Sequence, residues 1–272
     1  MSGDAPPPLR VERDGAVVRA TLHRPARRNA MSRALLAAFD AMLDDLEGDT
    51  TGARVLLLSG AGGHFCSGLD LSEVGDEAGA DEAARLAAAQ ARNAAMGARF
   101  ARLSALPQVV VARVEGSCFA GGLGLAAAAD IALCDAATAR FAASEVRIGL
   151  VPAQILPWLV RRMGRAQATR LVLQARPLDG AEAARVGLVH AALPDAAALD
   201  AEVARVVADL ALGAPGALAE TKALLAALGP VAPEGYGARA AEAFARLSRG
   251  EAREGIAAFR EKRPPAWAMP GG

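Results

Sequence analysis

Three short segments carry residue types whose placement could do chemistry. In HFCSGLDL, residues 64–71, a glycine follows a loop and a buried-looking strand, a setting that leaves backbone N–H groups free to face a ligand. In FAGGLGLAAAAD, residues 119–130, glycines precede an alanine run. An uncharged helix N-terminus of that kind could hold an anion or a developing oxyanion. In FAASEVRIGLVP, residues 141–152, Glu145 stands among small and apolar residues. Burial there would raise its pKa and let it exchange protons near neutrality. Each segment also has an ordinary account: a strand-to-helix turn, a closely packed glycine-rich helix, and a glutamate paired with Arg147 or another arginine. Neither G-x-G-x-x-G nor G-x-x-x-x-G-K-[ST] occurs, which excludes the nucleotide-binding fingerprints.

The elements that must position these segments are legible in outline. Residues 9–23 alternate apolar and polar about Asp14-Gly15, which predicts a β-hairpin. Ser32 can cap a helix whose Leu35, Phe39, Met42 and Leu46 recur at helical spacing, and Gly48 can end it. The run Val55-Leu56-Leu57-Leu58 suits a buried strand, residues 81–105 read as a long helix ended near Pro107, and Val109 to Val111 with Val114 make a second strand. DIALCD, residues 130–135, resembles a third. From Pro152 onward the pattern is nearly all helical, with breaks at Pro177, Gly187, 213–215, 229–233 and 264–265. Mixed β/α order followed by helices predicts an α/β core with a helical C-terminal appendage.

Composition narrows the function. The 272 residues hold 30 Lys plus Arg against 30 Asp plus Glu, 53% apolar residues and 28 glycines. That balance is unlike a disordered chain or a nucleic-acid binder. The three cysteines, Cys66, Cys118 and Cys134, fit neither a disulfide framework nor a CxxC metal spacing, and the three histidines, His23, His64 and His190, are scattered. No metal site is expected. The N-terminal MSGDAPPPLR lacks the basic flank and apolar run of a signal peptide. The longest apolar stretch, residues 118–129, is well short of the about 20 residues of a membrane span. A cytoplasmic protein with no membrane or nucleic-acid partner is expected.

Taken together, the order and spacing of the segments resemble the crotonase, or enoyl-CoA hydratase/isomerase, superfamily. The carriers are Leu22-His23-Arg24-Pro25 leading to Asn29-Ala30-Met31, Phe65 with Gly68, Asp70 and Leu71, and Gly116 through Gly121-Gly122-Leu123-Gly124-Leu125 to Asp130-Ile131. Phe141, Glu145, Gly149 and Pro152 follow, then Ala184 with Gly187-Leu188-Val189, and Phe259 to Pro264. The resemblance runs from about residue 10 to 267. It implies a crotonase-type β-β-α spiral core over residues 1–205 and a C-terminal helical trimerisation region over 206–272. It also implies an acyl-CoA thioester as partner, assembly as a homotrimer or dimer of trimers, and no cofactor beyond the CoA that belongs to the substrate.

By residue matching, the resemblance implies that the N–H groups of Leu69 and Gly121 hold the thioester enolate and that Glu145 is the catalytic acid/base. It places Arg27, Arg28 and Ala30 beside CoA, with Ser67, Gly68, Asp70 and Leu71 along its path, and Phe259 and Lys262 in reach across a subunit boundary. Gly124 stands where the better-known hydratases carry a second glutamate. SEVRIGLVPAQILPWLVRRMG, residues 144–164, is similar to bacterial methylglutaconyl-CoA and isohexenylglutaconyl-CoA hydratases. That similarity points to a hydratase of branched or glutaconyl-type 2-enoyl-CoA, with Gln154 facing the acyl pocket or, alternatively, lying at the surface. A Δ3-Δ2 enoyl-CoA isomerase using the same glutamate, and an inactive acyl-CoA-binding homologue, are the competing expectations.

Overall fold

The computed structural model describes residues 6–49, 52–73, 81–227 and 235–266. Residues 1–5 of the N-terminal segment and the expected break at 229–233 lie outside them. The hairpin forms as β1 (Leu9–Asp14) and β2 (Val17–Leu22), antiparallel with Asp14 opposite Val17 and Gly15 at φ +55. β3 (Val55–Gly60), β4 (Val109–Val114), β6 (Ile131–Asp135) and β9 (Ala191–Leu193) then add in parallel, giving the order β1-β2-β3-β4-β6-β9. A second sheet, β5 (Ser117–Phe119), β7 (Arg140–Ala142) and β8 (Leu178–Asp179), lies alongside. The chain is an α/β fold.

The continuous apolar run of β3 is explained by a sheet covered on both faces. Leu56 and Leu58 enter one core with α1 (Arg33–Glu47) and α2 (Glu82–Ala105). Val55 and Leu57 face the other way, onto Leu199, Val203 and Val207 of α6 (Ala196–Ala211). α1 starts where the Ser32 side chain accepts from the Leu35 N–H, and its stripe Leu35, Phe39, Met42, Leu43 and Leu46 is buried. α2 is capped by Asp81 on the Ala84 N–H and buries Met96, Phe100 and Leu103.

α3 (Gly121–Ala128) leads from β5 of the second sheet back to β6 of the first, and Gly122 to Ala128 are all buried. α4 (Leu156–Gln174) and α5 (Gly180–Arg185) follow, then α7 (Pro215–Ala227), α8 (Tyr236–Arg249) and α9 (Glu251–Arg260). α7 is fixed to the sheet end by Lys222, whose Nζ lies 2.7 Å from Asp130 Oδ2 and donates to Gln108 O at 2.8 Å. α8 packs along α2, and α9 reaches the turn at Glu145.

Two features depart from the sequence reading. The half after Pro152 also contains β8 and β9, two and three residues long, too short for any periodicity to reveal. The division expected at 205/206 falls inside α6, because Val203 and Val207 on either side of it are buried against the same sheet face. Among the described residues no helix is long and apolar enough to cross a membrane, and no group of three or more His, Cys, Asp or Glu could hold a metal ion.

If α6 belongs to the core, Leu199→Ala, at a fully buried position, should cost about 2–5 kcal/mol. The urea midpoint should fall with an unchanged slope. A loss below ~0.5 kcal/mol would show that α6 is an appendage.

Candidate active site

The basic loop and the glycine segment are built as one unit. Pro25–Arg27 forms a 3₁₀ turn, after which Arg28 and Asn29 both adopt left-handed backbone, φ 49 and 57. Asn29 compensates for that conformation: fully buried, it accepts from Arg24 N at 2.8 Å and donates through Nδ2 to Ala61 O and His64 O at 2.9 and 2.6 Å. Ser67 N donates to Arg28 O at 3.0 Å, and Ser67 Oγ to Arg27 O at 3.3 Å. The Arg24 guanidinium donates to Asp70 Oδ2 at 2.8 Å. The Ser72 hydroxyl and Arg24 together hold the Asp70 carboxyl below the usual carboxylate range, against the cost of its burial. Asp70 is therefore turned inward, while the Arg27 and Arg28 side chains are exposed at the rim and Ala30 is buried beneath them.

Met31 and Leu69 form a parallel bridge in which Met31 N donates to Gly68 O (2.8 Å) and Asp70 N to Met31 O (3.1 Å). The Leu69 N–H lies between those bonds and points away from them. A second bridge joins Cys66 to Cys118, with Cys66 N donating to Ser117 O and Phe119 N to Cys66 O, both at 2.9 Å. Both chains then run three residues on, to Leu69 and Gly121. Gly68 has φ +95, and a Cβ there would sit 3.0 Å from Ala120 Cβ and 3.7 Å from Gly121 N. The two segments thus touch at the point where their N–H groups emerge. Among the described residues neither the Leu69 nor the Gly121 N–H donates to a protein acceptor. Gly121 is the first residue of α3, so its amide is one of the donors any helix start leaves open. Ala120 before it holds φ +48, a conformation costing on the order of 1–3 kcal/mol for a residue with a side chain.

The third segment enters through the second sheet. Cys118 is in register with Phe141, and Ala120 N donates to Ala142 O at 2.9 Å. Three residues beyond Ala142, Glu145 opens a 3₁₀ turn, Glu145–Ile148, closed by Gly149 and by the 2.9 Å bond from Leu150 N to Glu145 O. Glu145 is 9% exposed and its Oε2 has no hydrogen-bond partner. Burial pushes its carboxyl up to about 7, partly offset by its own backbone N–H. Arg147, the candidate ion-pair partner in sequence, instead donates to Gln174 O. A buried carboxyl with an unpartnered Oε2 that titrates near neutrality can move protons, and the strand that leads to it pairs with the strand that leads to the free Gly121 amide.

Gly124 faces neither water nor a vacancy. A Cβ there would lie 2.5 Å from Phe100 Cζ and 2.7 Å from Ile155 Cγ2, so aromatic and aliphatic carbon occupy the space a longer side chain would need. Gln154 is buried, and its Nε2 donates to Asn93 Oδ1 (3.0 Å) and Gly237 O (3.2 Å), joining α2 to α8. Phe259, 64% exposed, and Lys262, exposed just past α9, stand close in sequence to Arg260, whose Nη2 donates to Leu71 O at 2.8 Å. The structure therefore joins Arg27, Arg28, Ala30, Ser67, Gly68, Leu69, Asp70, Leu71, Gly121 and Glu145 through consecutive backbone contacts, while Gln154 is buried between α2 and α8 and does not lie at the surface. Sequence reasoning missed the structural tasks of Arg24 and Asn29, although both lie within the quoted motif. It also missed Arg260, which no spacing marks.

Residues 12–270 match the enoyl-CoA hydratase/isomerase family. The chain belongs to that family. Among its relatives, mevalonyl-coenzyme A hydratase SIDH of Beauveria bassiana is 36% identical over 259 residues, covering 91% of this chain and 89% of that protein. The peroxisomal Delta(3,5)-Delta(2,4)-dienoyl-CoA isomerase of Arabidopsis thaliana is 30% identical over 270 residues, 96% of this chain and 95% of that one. Among solved structures, Pseudomonas aeruginosa AtuE superimposes with a TM-score of 0.75 at 42% identity, over 96% of this chain and all of that one. Relatives named as a hydratase and as an isomerase thus both match nearly the whole of this chain, so membership alone does not choose a reaction for the site as furnished here.

Two stability measurements follow from that furnishing. Gly124→Glu should lower stability by more than the ~1–3 kcal/mol of overpacking alone, since it also buries an unpaired acid. An unchanged denaturation midpoint would contradict the packing described. For Glu145, the native pKa of about 7 lies above the unfolded value near 4.5. The native state then binds the proton more tightly, and stability falls as pH rises from about 4.5 to about 7, by on the order of 3 kcal/mol. Glu145→Gln should abolish that slope and be more stable than the parent at pH 8. Parallel stability–pH curves for the two proteins would show that Glu145 is not desolvated.

Proposed function

We propose that the protein is an enoyl-CoA hydratase that adds water syn across the 2,3-double bond of a branched or glutaconyl-type 2-enoyl-CoA, with Glu145 as its one catalytic carboxylate. The observation carrying this reading is the buried Glu145 carboxyl, its Oε2 unpartnered and titrating near 7, on a turn that follows the strand paired beside Cys118, with the Leu69 and Gly121 amides lacking any acceptor among the described residues.

The thioester oxygen would sit between the Leu69 and Gly121 N–H groups. The Glu145 carboxylate takes a proton from water as the water oxygen bonds to C3. The π electrons move to the thioester oxygen, where the two amides meet the new negative charge. The same carboxyl, now protonated, returns its proton to C2 as the enolate collapses, so OH and H arrive on one face. Amides fixed before reaction favour the charged state over the uncharged substrate. A carboxyl of pKa near the working pH serves equally as base and acid.

Arg27 and Arg28, the exposed cations beside Ser67, are suited to CoA phosphates. C3 branching is supported by the segment 144–164 and by the relative named for mevalonyl-CoA, a C3-branched acyl group. Self-association as a trimer or dimer of trimers is supported by Leu212, Leu224 and Leu225, exposed along and just before α7. The reaction as written needs no further cofactor. The apolar filling at Gly124 also favours a second reading, Δ3-Δ2 isomerisation, in which Glu145 alone would carry a proton from C2 to C4.

Incubation with branched, glutaconyl-type and straight 2- and 3-enoyl-CoAs separates these readings, because only hydration adds the mass of water. Glu145→Gln should keep CoA-ester binding within a few-fold and lose at least ~10² in turnover. The parent kcat/KM should rise with pH through about 7 as the carboxyl ionises. Near-normal turnover of the variant would remove Glu145 from the mechanism. Double-bond migration without water uptake would replace the hydratase by the isomerase, and binding without turnover on every ester would leave an inactive homologue.

A further inference from the structure

We infer that α9 is a positioning element for the site, with Gly255 and Arg260 as its two positioning residues: one helix fixes the Glu145 turn relative to the segment that carries the Leu69 amide. The inference rests on the proposed role of Glu145 and extends it to a part of the chain expected to mediate assembly and, through Phe259 and Lys262, to reach CoA.

The first contact is backbone on backbone. A Cβ on Gly255 would lie 2.5 Å from Ile148 C and O and 2.7 Å from Ile148 Cα, so α9 meets the 3₁₀ turn at van der Waals distance with no side chain between. Glycine weakens a helix interior relative to alanine, so close approach is what this position requires. Ala252, Gly255 and Ala258 form one buried face of small residues. The turn is a single hydrogen-bonded piece, with Glu145 O accepting from Leu150 N, so displacement at Ile148 is carried to Glu145.

The second contact lies five residues later, about 7.5 Å along the helix axis. There the Arg260 guanidinium donates to Leu71 O at 2.8 Å, two residues past Leu69. An ion pair from Glu254 to Arg263, 2.7 Å, ties the helix to the chain that leaves it. The same helix therefore grips both halves of the site from outside. The requirement it meets is geometric. A carboxyl must lie within about 2.6–3.2 Å of the proton it moves, and misplacement by about 1 Å can cost on the order of 10² in rate.

The test pairs Gly255→Ala with Arg260→Ala and Arg260→Lys. Gly255→Ala strengthens the helix, so a loss cannot come from a weakened α9. It should lower kcat at least ~10-fold with KM within about two-fold. A displaced turn also admits water to Glu145, so the acid limb of kcat/KM should move below its parental position near pH 7. Arg260→Ala should lower kcat/KM about 3–10-fold and Arg260→Lys, which can still donate to Leu71 O, should recover most of it. The double variant should lose less than the product of the single losses, since both act through one docked helix. The fall in stability between pH 4.5 and 7, measured without substrate, should flatten in Gly255→Ala. That readout separates a failure of α9 as positioner from a failure of Glu145 as catalyst, which Glu145→Gln reports. Parental kcat and pH dependence in Gly255→Ala would overturn the inference. If that variant does not fold, equal activity of Arg260→Ala and the parent would overturn it.

Discussion

The site depends on one row of backbone pairing. Cys66, Cys118 and Phe141 lie side by side on three neighbouring parallel segments, all fully buried. Each chain leaves that row in the same direction, and the candidate groups follow three or four residues later: the Leu69 amide, the Gly121 amide and the Glu145 carboxyl. Parallel register fixes neighbours along a strand to within a fraction of a residue. The sheets thus bring the three segments together, and the turn at Glu145, outside β7, sets the last part of the arrangement. The strained Ala120 backbone and the left-handed Arg28 and Asn29 are where the chain bends to meet this arrangement. Asn29 compensates locally with three hydrogen bonds.

A single carboxyl in such a place is under two opposed pressures. Burial raises its pKa to where it can both take and give a proton, and the same burial leaves Oε2 without a partner, which costs stability whenever it is charged. A second acid at position 124 would add like charge to this environment. Phe100 and Ile155 instead fill the volume with carbon and keep the surroundings of α3 apolar. The glycine at 124 is therefore part of a packed core as much as a missing functional group, and restoring an acid there would require rebuilding α2 and the start of α4 together.

Much of this was legible in the sequence wherever local physics decides. The Asp14-Gly15 hairpin, the Ser32-capped helix, the buried β3 run and the two glycine segments each have a short-range cause, and each lies where it was expected. What escaped detection depends on partners distant in sequence. β9 is three residues of alanine and leucine, a strand only because Leu133 to Asp135 offer it an edge. α6 reads as an ordinary amphipathic helix, and only its contact with Val55 and Leu57 makes it core. Gln154 could have faced a pocket or water; its amide is bound by Asn93, 61 residues before it, and Gly237, 83 after it.

The charge balance takes on a different meaning at this scale. A chain with zero formal net charge is not electrostatically featureless if its charges are sorted by place. Inside, Arg24 is committed to Asp70, and Lys222 to Asp130. At the rim, Arg27 and Arg28 are exposed on a loop whose conformation is fixed from below by Asn29. Exposed cations on a rigid loop lose less freedom on meeting a phosphate than cations on a mobile one. At the candidate site, among the described residues, the Leu69 and Gly121 amides are uncharged and the Glu145 carboxyl is half protonated near pH 7. A neutral centre lined by amides discriminates most strongly for a charge that exists only during the reaction. Any permanent cation placed beside Leu69 and Gly121 would bind the anionic parts of the ligand in the ground state and weaken that preference.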